Sequence, residues 1–420
     1  MEKKPHGEFS SRVSGKQLRD GFTTGTCAAA AAKAAAVILC RGLAAEPVAE
    51  LTIPAGISVK IPAVLVSEEP GCVCVQVCKD AGDDPDITNG TWIRASVCRI
   101  DEQRWQHLHR EGCGYWLEDY PECYLTGGYG VGIATKAGLS CPVGSYAINP
   151  VPRKMILAAV WEVLCSDRGR GFGAAGISGR DIPYIEIRIS VPAGVELAEK
   201  TFNPKLGIIG GISIIGTTGV VKPMSEDALR DTIRLELHMK AVQKSPVVFL
   251  TPGNYGRSFL KERLDIPLEE AVTCSNYVAD AVRMAAAEGI TRLLFAGHIG
   301  KLIKVSGGVP NTHSQYGDRR MELLGRITEH YDKELALAVR EANTTEEAVR
   351  ILMEKQLAEA VLTDAAGLAG RYLENWGDGK LRAEVVTFSS AYGILGMTRE
   401  AVPWIMEWKR GRIQGTEAAK

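Results

Sequence analysis

Hydrophobic and polar positions follow two different patterns along the chain. In residues 22–40 (FTTGTCAAAAAKAAAVILC) threonines precede a long alanine run, which predicts a helix because alanine has the highest intrinsic helix propensity. Short strand-like runs separated by turn residues follow, among them VKIPAVLVSEE, GCVCVQVCKD and TWIRASVCRID. A second helix (VPRKMILAAVWEVLCSDRG) and a strand (YIEIRIS) complete this part. We therefore expect an α+β domain, of the split βαβ type, over residues 1–195.

From about residue 205 the pattern changes to strands that alternate with helices. VVFLTPGNYG precedes the predicted helical stretch LEEAVTCSNYVADAVRMAAAEG, and RLLFAGHIGKLIKV precedes another helix-rich stretch. Alternation of this kind is typical of a mainly parallel sheet with helices on its faces. We expect a Rossmann-like α/β domain over residues 196–420.

Composition and charge narrow the class of protein. The 420 residues carry 49 Lys and Arg against 50 Asp and Glu, so no global field would attract nucleic acid or an anionic membrane. No stretch has about 18 uninterrupted apolar residues, and the polar start has no secretory core. Together with an odd number of cysteines, eleven, this favours a cytoplasmic protein with reduced thiols. Cys72, Cys74 and Cys78 are expected on one buried strand face. A homodimer is compatible with these features.

The threonine-rich helix start suggests a binding site for anions. The first turn of a helix leaves backbone N–H groups unpaired, and the helix dipole favours negative charge there. The hydroxyl groups and a permissive glycine would add to such a cradle, which consists of Thr23, Thr24, Gly25 and Thr26. Simple capping of the helix by a threonine explains the same pattern.

The loop KDAGDDPDITNG concentrates carboxylates directly after a strand. It contains Asp80, Asp83, Asp84 and Asp86. Acid/base catalysis, metal binding or hydrogen bonds to a ligand would all use such a cluster. A solvated turn rich in aspartate is the structural alternative.

Three glycine-bearing loops are expected at neighbouring strand ends of the second domain. They contain Gly216, Thr217, Thr218 and Gly219; Gly253 and Asn254; and Gly297 and His298. Loops at the carboxyl ends of strands in an open α/β sheet are the usual place for a ligand crevice, so we expect one composite site. Neither G-x-G-x-x-G nor a Walker lysine is present. Lys301, Lys304 and Arg257 could pair with acidic groups of a substrate or lie on the solvated surface.

Eight motifs in order resemble one family, the CbiD cobalt-precorrin-5B (C-1)-methyltransferases of anaerobic cobalamin biosynthesis. They are LRDGFTTGTCAAAAAKAA (18–35), KDAGDDPDIT (79–88), GVGIATKAGL (130–139), AINPVPRKMI (147–156), GTTGVVKPMS (216–225), PGNYG (252–256), GHIGKLIKV (297–305) and NTHS (311–314). The stretch from Gln103 to Tyr124 departs from the family pattern, since it is longer and richer in Trp and Cys.

The resemblance implies transfer of a methyl group from S-adenosylmethionine to C-1 of cobalt-precorrin-5B, giving cobalt-precorrin-6A. Cobalt would enter only as part of the substrate, and no metal site of the protein itself is expected. The donor would be held by the three glycine-bearing loops, and the corrin would lie between the two domains. We expect Asp83, Asp84 and His313 to be catalytic. The macrocycle carboxylates would meet Thr23, Thr24, Gly25, Thr26, Lys136, Arg153 and Asn311.

Two other functions fit parts of the pattern. A nucleotide-dependent small-molecule enzyme, either an oxidoreductase or a kinase, would use the Thr-Gly helix start and the glycine-rich loops, although the nucleotide fingerprints are missing. A corrinoid-binding protein without catalysis would hold the tetrapyrrole but consume no methyl donor.

Overall fold

The computed structural model describes residues 10–13, 16–42, 47–166 and 184–417. The chain forms two compact units, Met1–Ser225 and Glu226–Lys420. The division therefore lies further along the chain than the expected boundary near residue 195. The reason is strand pairing, because the short strands between residues 208 and 221 pair with strands of the first unit.

The first unit contains the following elements, in chain order. They are strands β1 (Ser10–Val13), β2 (Lys16–Arg19) and β3 (Gly21–Phe22), helix α1 (Thr24–Arg41), strands β4 (Val48–Thr52), β5 (Ser58–Pro62), β6 (Val64–Glu69), β7 (Cys72–Cys78) and β8 (Trp92–Ile100), helix α2 (Glu102–Glu111), strands β9 (Tyr115–Trp116), β10 (Cys123–Gly127), β11 (Gly130–Val131) and β12 (Ile133–Ala134), helix α3 (Pro150–Ser166), strand β13 (Tyr184–Ser190), helices α4 (Gly194–Glu199) and α5 (Asn203–Leu206), and strands β14 (Ile208–Ile209), β15 (Gly211–Ile212) and β16 (Val220–Val221).

The main sheet of this unit has six strands in the order β6-β7-β8-β13-β10-β9. Only β10 and β13 run parallel, and α3 lies between them in the chain. The two strands are direct neighbours, so the connection is an ordinary βαβ unit rather than the expected split one. The helix predicted over residues 151–169 is α3; its last three predicted residues lie outside the described residues.

Helix α1 is the central helix of the first unit. Thr23 caps it by accepting a hydrogen bond from the Thr26 backbone N–H at 3.2 Å, and Gly42 follows its end. The alanines let α1 pack closely on α3, β7 and β8. By length and composition α1 could also cross a membrane, yet 72% of it is buried inside the protein, as expected of a core helix.

Two predictions about the cysteines of β7 are wrong, namely that they form a buried strand face and that all of them are reduced thiols. The valines at positions 73, 75 and 77 face the core, whereas Cys72 and Cys74 are half-buried and Cys78 is exposed. Valine has the larger apolar side chain, so its face rather than the cysteine face is buried. Cys72 is also bonded to Cys98 by a disulfide. The two residues lie directly opposite each other on the antiparallel strands β7 and β8, where side chains are close enough to join.

The second unit alternates strands and helices. Its elements are α6 (Glu226–Val242), β17 (Val248–Thr251), α7 (Asn254–Leu264), a 3-10 turn (Leu268–Glu270), β18 (Ala271–Thr273), α8 (Val278–Ala287), β19 (Arg292–His298), α9 (Ile299–Ser306), a second 3-10 turn (Ser314–Tyr316), α10 (Arg320–Thr328), α11 (Lys333–Glu341), α12 (Thr345–Glu354), α13 (Ala358–Trp376), β20 (Arg382–Ser389), β21 (Gly393–Met397) and α14 (Ala401–Glu417).

These strands form the expected α/β sheet, in the order β18-β17-β19-β20-β21, although Ala271–Thr273 were predicted as helix and form β18. The first four run parallel and β21 is an antiparallel edge strand. Numbered by chain position the order is 2-1-3-4-5, which is the flavodoxin-like order of the doubly wound folds. In such sheets ligands bind at the carboxyl ends of the two strands where the order reverses, which here are β17 and β19.

Candidate functional site

The threonine-rich start of α1 is closed by other parts of the first unit. The Thr24 hydroxyl lies 2.9 Å from the Ile215 backbone nitrogen, from which it accepts a hydrogen bond. The Gly25 N–H donates to the Ile215 carbonyl, and the Thr26 hydroxyl donates to the Gly219 carbonyl at 2.8 Å. Thr23, Thr24 and Thr26 are buried. The expected anion cradle is thus filled by protein, and the geometry favours the capping alternative.

The first glycine-bearing loop, Gly216–Gly219, belongs to this closure and not to the second unit. Strand β16, directly after it, pairs with β3 in the first unit. The placement of this loop at a strand end of the second domain is therefore wrong. A Cβ atom on Gly216 would lie 2.2 Å from the Thr23 hydroxyl, and one on Gly219 would lie 2.8 Å from Ile53 Cβ. Close packing explains these glycines without a ligand.

Replacing Gly216 with alanine should test this structural role. Gly216 has φ of 140°, and an added methyl group would collide with Thr23. We expect Gly216→Ala to lower the free energy of unfolding by about 1–3 kcal/mol, measured by urea denaturation. The control is Thr217→Ala at the neighbouring exposed position, which should change the free energy of unfolding by less than about 0.5 kcal/mol. Equal stability of both variants would contradict the packing role.

The aspartates of the acidic loop have partners within the first unit. Asp80 pairs with the Arg19 guanidinium, whose hydrogen bonds hold the pKa of Asp80 below its usual value. Asp83 accepts a hydrogen bond from the Arg19 backbone N–H at 2.7 Å, and Asp84 accepts one from the Met224 backbone N–H at 3.0 Å. The charge repulsion that suggested a functional cluster is thus relieved internally. The loop resembles the structural alternative, a turn stabilised by aspartates.

Two predicted cations also serve the first unit itself. Lys136 Nζ donates to the Lys205 carbonyl at 3.2 Å. The Arg153 guanidinium lies 3.6 Å from the centre of the Tyr115 ring and donates to the Ser140 carbonyl at 3.1 Å. Both side chains are half-buried rather than free at the surface.

The second unit has a cavity of about 630 Å³ at the carboxyl ends of β17 and β19. This is the point where the strand order reverses, and hence the expected ligand position. The cavity is lined by Thr251, Pro252, Gly253, Tyr255, Gly256, Asn276, His298, Gly300, Lys301, Lys304, Thr312, His313, Ser314, Asp318, Arg320 and Ser390.

Two helices begin at the cavity wall. Gly253 precedes α7 and His298 caps α9, so the positive ends of both helix dipoles lie at the cavity. Asn254 is the exposed first residue of α7. Gly297 is buried in β19, where a Cβ atom would lie 2.8 Å from the Phe295 ring. Of the predicted donor residues, Gly253 and His298 therefore line the cavity, Asn254 adjoins it, and Gly297 supports it from within the sheet.

Lys301 brings a positive charge to the cavity. Its Nζ atom donates to the Asn276 side-chain oxygen at 2.9 Å and to the Pro252 carbonyl at 3.3 Å. Both acceptors are neutral, so the ammonium charge is not balanced by them. Burial lowers the pKa of Lys301 from its ordinary value. A partly buried cation of this kind in a cavity is typical of a site for an anionic ligand.

Lys304 is a second cation on the same wall. It is only 7% exposed, and its Nζ atom donates to the Thr312 and Gly317 carbonyls at 3.2 and 3.3 Å. Arg320, by contrast, is paired with Asp318, and its hydrogen bonds lower the pKa of that carboxyl to about 2. The cavity therefore combines two lysines and two helix starts, which together favour a carboxylate or phosphate group.

His298 lines the cavity, and one of its ring nitrogens is held by the backbone. Its Nδ1 atom accepts a hydrogen bond from the Gly300 backbone N–H at 3.4 Å, so the ring proton lies on Nε2. Nε2 is 3.5 Å from Glu346 Oε1. Burial lowers the pKa of His298, and the nearby Glu346 acts in the opposite direction.

The lowered pKa of His298 predicts a pH dependence of stability. Below the ordinary histidine pKa of about 6.5 the unfolded chain takes up a proton that the folded protein excludes. The free energy of unfolding therefore decreases as the pH is lowered. Asparagine also caps helices well. Between about pH 7.5 and pH 5.5 the wild type should lose more unfolding free energy in urea denaturation than His298→Asn. The exposed His107→Asn variant should behave like the wild type; equal losses in all three proteins would contradict the prediction.

The remaining predicted residues of the second unit lie on one loop. His313 lines the cavity and its Nδ1 atom accepts a hydrogen bond from the Gln315 backbone N–H at 3.1 Å. The Asn311 side chain accepts from the His313 backbone N–H at 3.0 Å, which fixes the turn. His313 thus lies with the predicted donor residues, whereas Asp83 and Asp84 belong to the first unit.

Sequence reasoning missed Asn276, Asp318, Arg320 and Ser390 on the cavity wall, and it did not single out Tyr255. Asn276 connects Lys301 with the Thr312 hydroxyl, and Tyr255 projects its ring with 76% exposure. A signal for Tyr255 existed, because it stands inside the PGNYG motif at a helix start. Asn276 carried none, since it follows a short strand at the edge of the sheet.

Comparisons with known proteins identify the family of this chain. The family profile described as CbiD matches residues 11–223, and the profile described as CbiD, C-terminal domain, matches residues 311–399. A protein of Alkaliphilus metalliredigens named cobalt-precorrin-5B C(1)-methyltransferase is 38% identical over 389 residues, which cover 92% of this chain and 94% of that protein. One of the same name from Clostridium perfringens is 42% identical over 342 residues, 81% of this chain and 84% of its own length.

A solved structure is also similar. It is the crystal structure of a cobalamin biosynthesis protein (cbiD) from Archaeoglobus fulgidus, with 24% identity, a TM-score of 0.37 and coverage of 74% of this chain and 87% of that one. This likeness is too distant to establish a shared fold. The curated relatives are named as methyltransferases, and the chain is accordingly an enzyme of the methyltransferase class. It belongs to the CbiD family.

Proposed function

We propose that the chain transfers a methyl group from S-adenosylmethionine to C-1 of cobalt-precorrin-5B, giving cobalt-precorrin-6A. The names of the relatives support this reaction, and so does the extent of the match, which covers more than four fifths of this chain and of each relative. Cobalt belongs to the substrate. A cytoplasmic location is also part of the proposal.

The observation that carries the proposal is the cavity of the second unit. We place S-adenosylmethionine there, with its carboxylate at the starts of α7 and α9 and beside Lys301. Gly253 leaves open space, because no atom lies within 4 Å of where its Cβ would be, so a ligand can approach the backbone. The exposed Tyr255 ring offers a surface on which the adenine can stack.

The chemistry requires mainly alignment. C-1 of the macrocycle supplies the electron pair for the new C–C bond, while the S–CH₃ bond breaks and its electron pair stays on sulfur. The donor thereby becomes neutral S-adenosylhomocysteine. Because the sulfonium is already activated, the enzyme gains most by holding the two reactants in line and excluding water.

Acid/base help is assigned in the proposal to His313, Asp83 and Asp84. His313 has the strongest support, since it lines the donor cavity and its ring is held by one backbone hydrogen bond. Asp83 and Asp84 have weaker support, because each already accepts a hydrogen bond from a backbone N–H group. Unchanged turnover of an Asp84→Asn variant would remove that residue from the mechanism.

The proposal is tested by incubating the purified chain with cobalt-precorrin-5B and ¹³C-methyl-labelled S-adenosylmethionine. We expect one labelled methyl group at C-1 by NMR and one S-adenosylhomocysteine per product. Binding of the tetrapyrrole without formation of S-adenosylhomocysteine would instead support a carrier. In a thermal-shift assay, S-adenosylmethionine at about 100 times its dissociation constant should add roughly 2.7 kcal/mol of stability, whereas ATP and nicotinamide nucleotides should not.

A further inference from the structure

The first unit contains an aromatic pocket that the proposed methyl transfer does not use. Its volume is about 460 Å³, and it is formed by α2, β9, the residues before β10 and the start of β13. Its lining residues are Trp105, His109, Trp116, Pro121, Glu122 and Tyr184. We refer to these six residues as the aromatic pocket.

The rings of the aromatic pocket support one another. Trp105 stacks on Tyr184 with centroids 4.5 Å apart and an angle of 17°, and His109 lies 4.5 Å from Trp105. Trp116 is 6.1 Å from His109 and is 41% exposed. Large aromatic side chains that stay accessible together are unusual on a protein surface unless they meet a partner.

Two polar hydrogens of the pocket are already donated to backbone carbonyls. His109 Nδ1 lies 3.0 Å from the Trp105 carbonyl, which can only accept, so this ring nitrogen donates its proton there. The Trp116 indole N–H is already donated to the Pro121 carbonyl at 2.9 Å. Glu122 adds a carboxylate, and its Oε2 atom is buried with no hydrogen-bond partner among the described residues.

Among the residues that the structure describes, the arginines beside the pocket pair with a different acid. Arg104, beside Trp105 in α2, donates to both oxygens of Glu186 at 3.0 and 3.2 Å, and Arg188 is bound to the same carboxylate. The cations next to the pocket are thus engaged with another acid. A carboxylate and the negative faces of aromatic rings attract the same kind of ligand, a cation.

We propose that the aromatic pocket binds a small organic ammonium cation. Alkyl groups on nitrogen would contact the Trp105, Trp116 and Tyr184 rings, while the charge faces the ring electrons and Glu122. An inorganic cation fits less well, because it would have to give up its water for a wall that offers few oxygen ligands. The proposal does not depend on the methyl-transfer reaction.

Calorimetric titration of the purified full chain with choline tests the proposal. The neutral isostere 3,3-dimethyl-1-butanol has the same shape without the charge, and sodium chloride controls for ionic strength. We expect choline to bind about tenfold more tightly than the isostere, the gain expected of a cation on aromatic rings. Equal binding of both compounds, or no binding of choline, would overturn the proposal.

Two variants locate the site. Trp116→Leu and Glu122→Gln should each weaken choline binding several-fold, because one removes an aromatic wall and the other the negative charge. Trp92 on β8 is similarly exposed, at 39%, and lies outside the pocket, so Trp92→Leu is the matched control and should bind as the wild type does. Loss of binding in Trp92→Leu alone, or displacement of choline by S-adenosylmethionine, would show that the cation site lies elsewhere or is the donor site.

Discussion

Replacing Asp86 with alanine is expected to lower the free energy of unfolding by about 3–5 kcal/mol, the cost of leaving a buried charge without its partner. Lys79 is 2% exposed, and its Nζ atom lies 2.6 Å from Asp86 Oδ2. Asp86 also accepts hydrogen bonds from the Thr88 N–H and hydroxyl groups. Urea denaturation of Asp86→Ala against the wild type measures the effect.

An exposed ion pair in the same unit provides the control. Glu50 and Lys60 are paired at 3.4 Å across β4 and β5, with side chains 60% and 65% exposed. Because water screens such a pair, Glu50→Ala should cost less than about 1 kcal/mol. A loss in Asp86→Ala no larger than in Glu50→Ala would mean that Lys79 finds another partner or reaches water.

The same pair predicts acid sensitivity. Burial by itself would raise the pKa of Asp86, but the hydrogen bonds from Lys79 and Thr88 outweigh it and lower the pKa. The stabilisation is therefore fully present above the ordinary aspartate pKa of about 3.9 and is lost as the pH falls through the folded value. The Asp86→Ala variant should lack this part of the acid dependence.

Replacing Lys301 with methionine should weaken binding of S-adenosylmethionine by about 10- to 150-fold, the range expected for loss of a hydrogen bond to a charged group. Methionine keeps much of the apolar volume and removes only the cation that faces the donor carboxylate. Calorimetric titration measures the dissociation constant.

A lysine outside the cavity separates local from global effects. Lys261 on α7 is exposed and does not line the cavity, so Lys261→Met should leave the affinity unchanged. The thermal stability of Lys301→Met must be measured as well, since Lys301 also bonds to Asn276 and Pro252. Wild-type affinity in a folded Lys301→Met protein would place the donor carboxylate elsewhere.

Features that depend on neighbouring residues were predictable from the sequence. The alanine run and Thr23 determine α1 locally, through helix propensity and capping. The alternation of apolar runs and helices likewise predicted the parallel sheet of the second unit and two of the loops at its carboxyl edge. Gly253, His298 and His313 meet at one cavity because parallel strands end on the same side of a sheet.

Features that depend on distant pairing were not predictable. The Gly216–Gly219 loop has the composition of a ligand loop, yet it packs on the start of α1 because β16 pairs with β3. That pairing involves two residues on each strand, Val220 with Phe22 and Val221 with Gly21, and such a short match carries no recognisable pattern. Nor does local sequence reveal whether Asp83 and Asp84 face a ligand or a backbone amide.

The closure of α1 by residues 213–219 also has a consequence for synthesis on the ribosome. The hydrogen bonds from Thr24 and Thr26 span 189 to 193 residues. At about 5–20 residues per second, roughly 10–40 s pass between emergence of the helix and emergence of the segment that covers its start. During that interval the start of α1 in a nascent chain lacks the segment that covers it, and chaperone binding should be strongest before residues 213–219 have emerged.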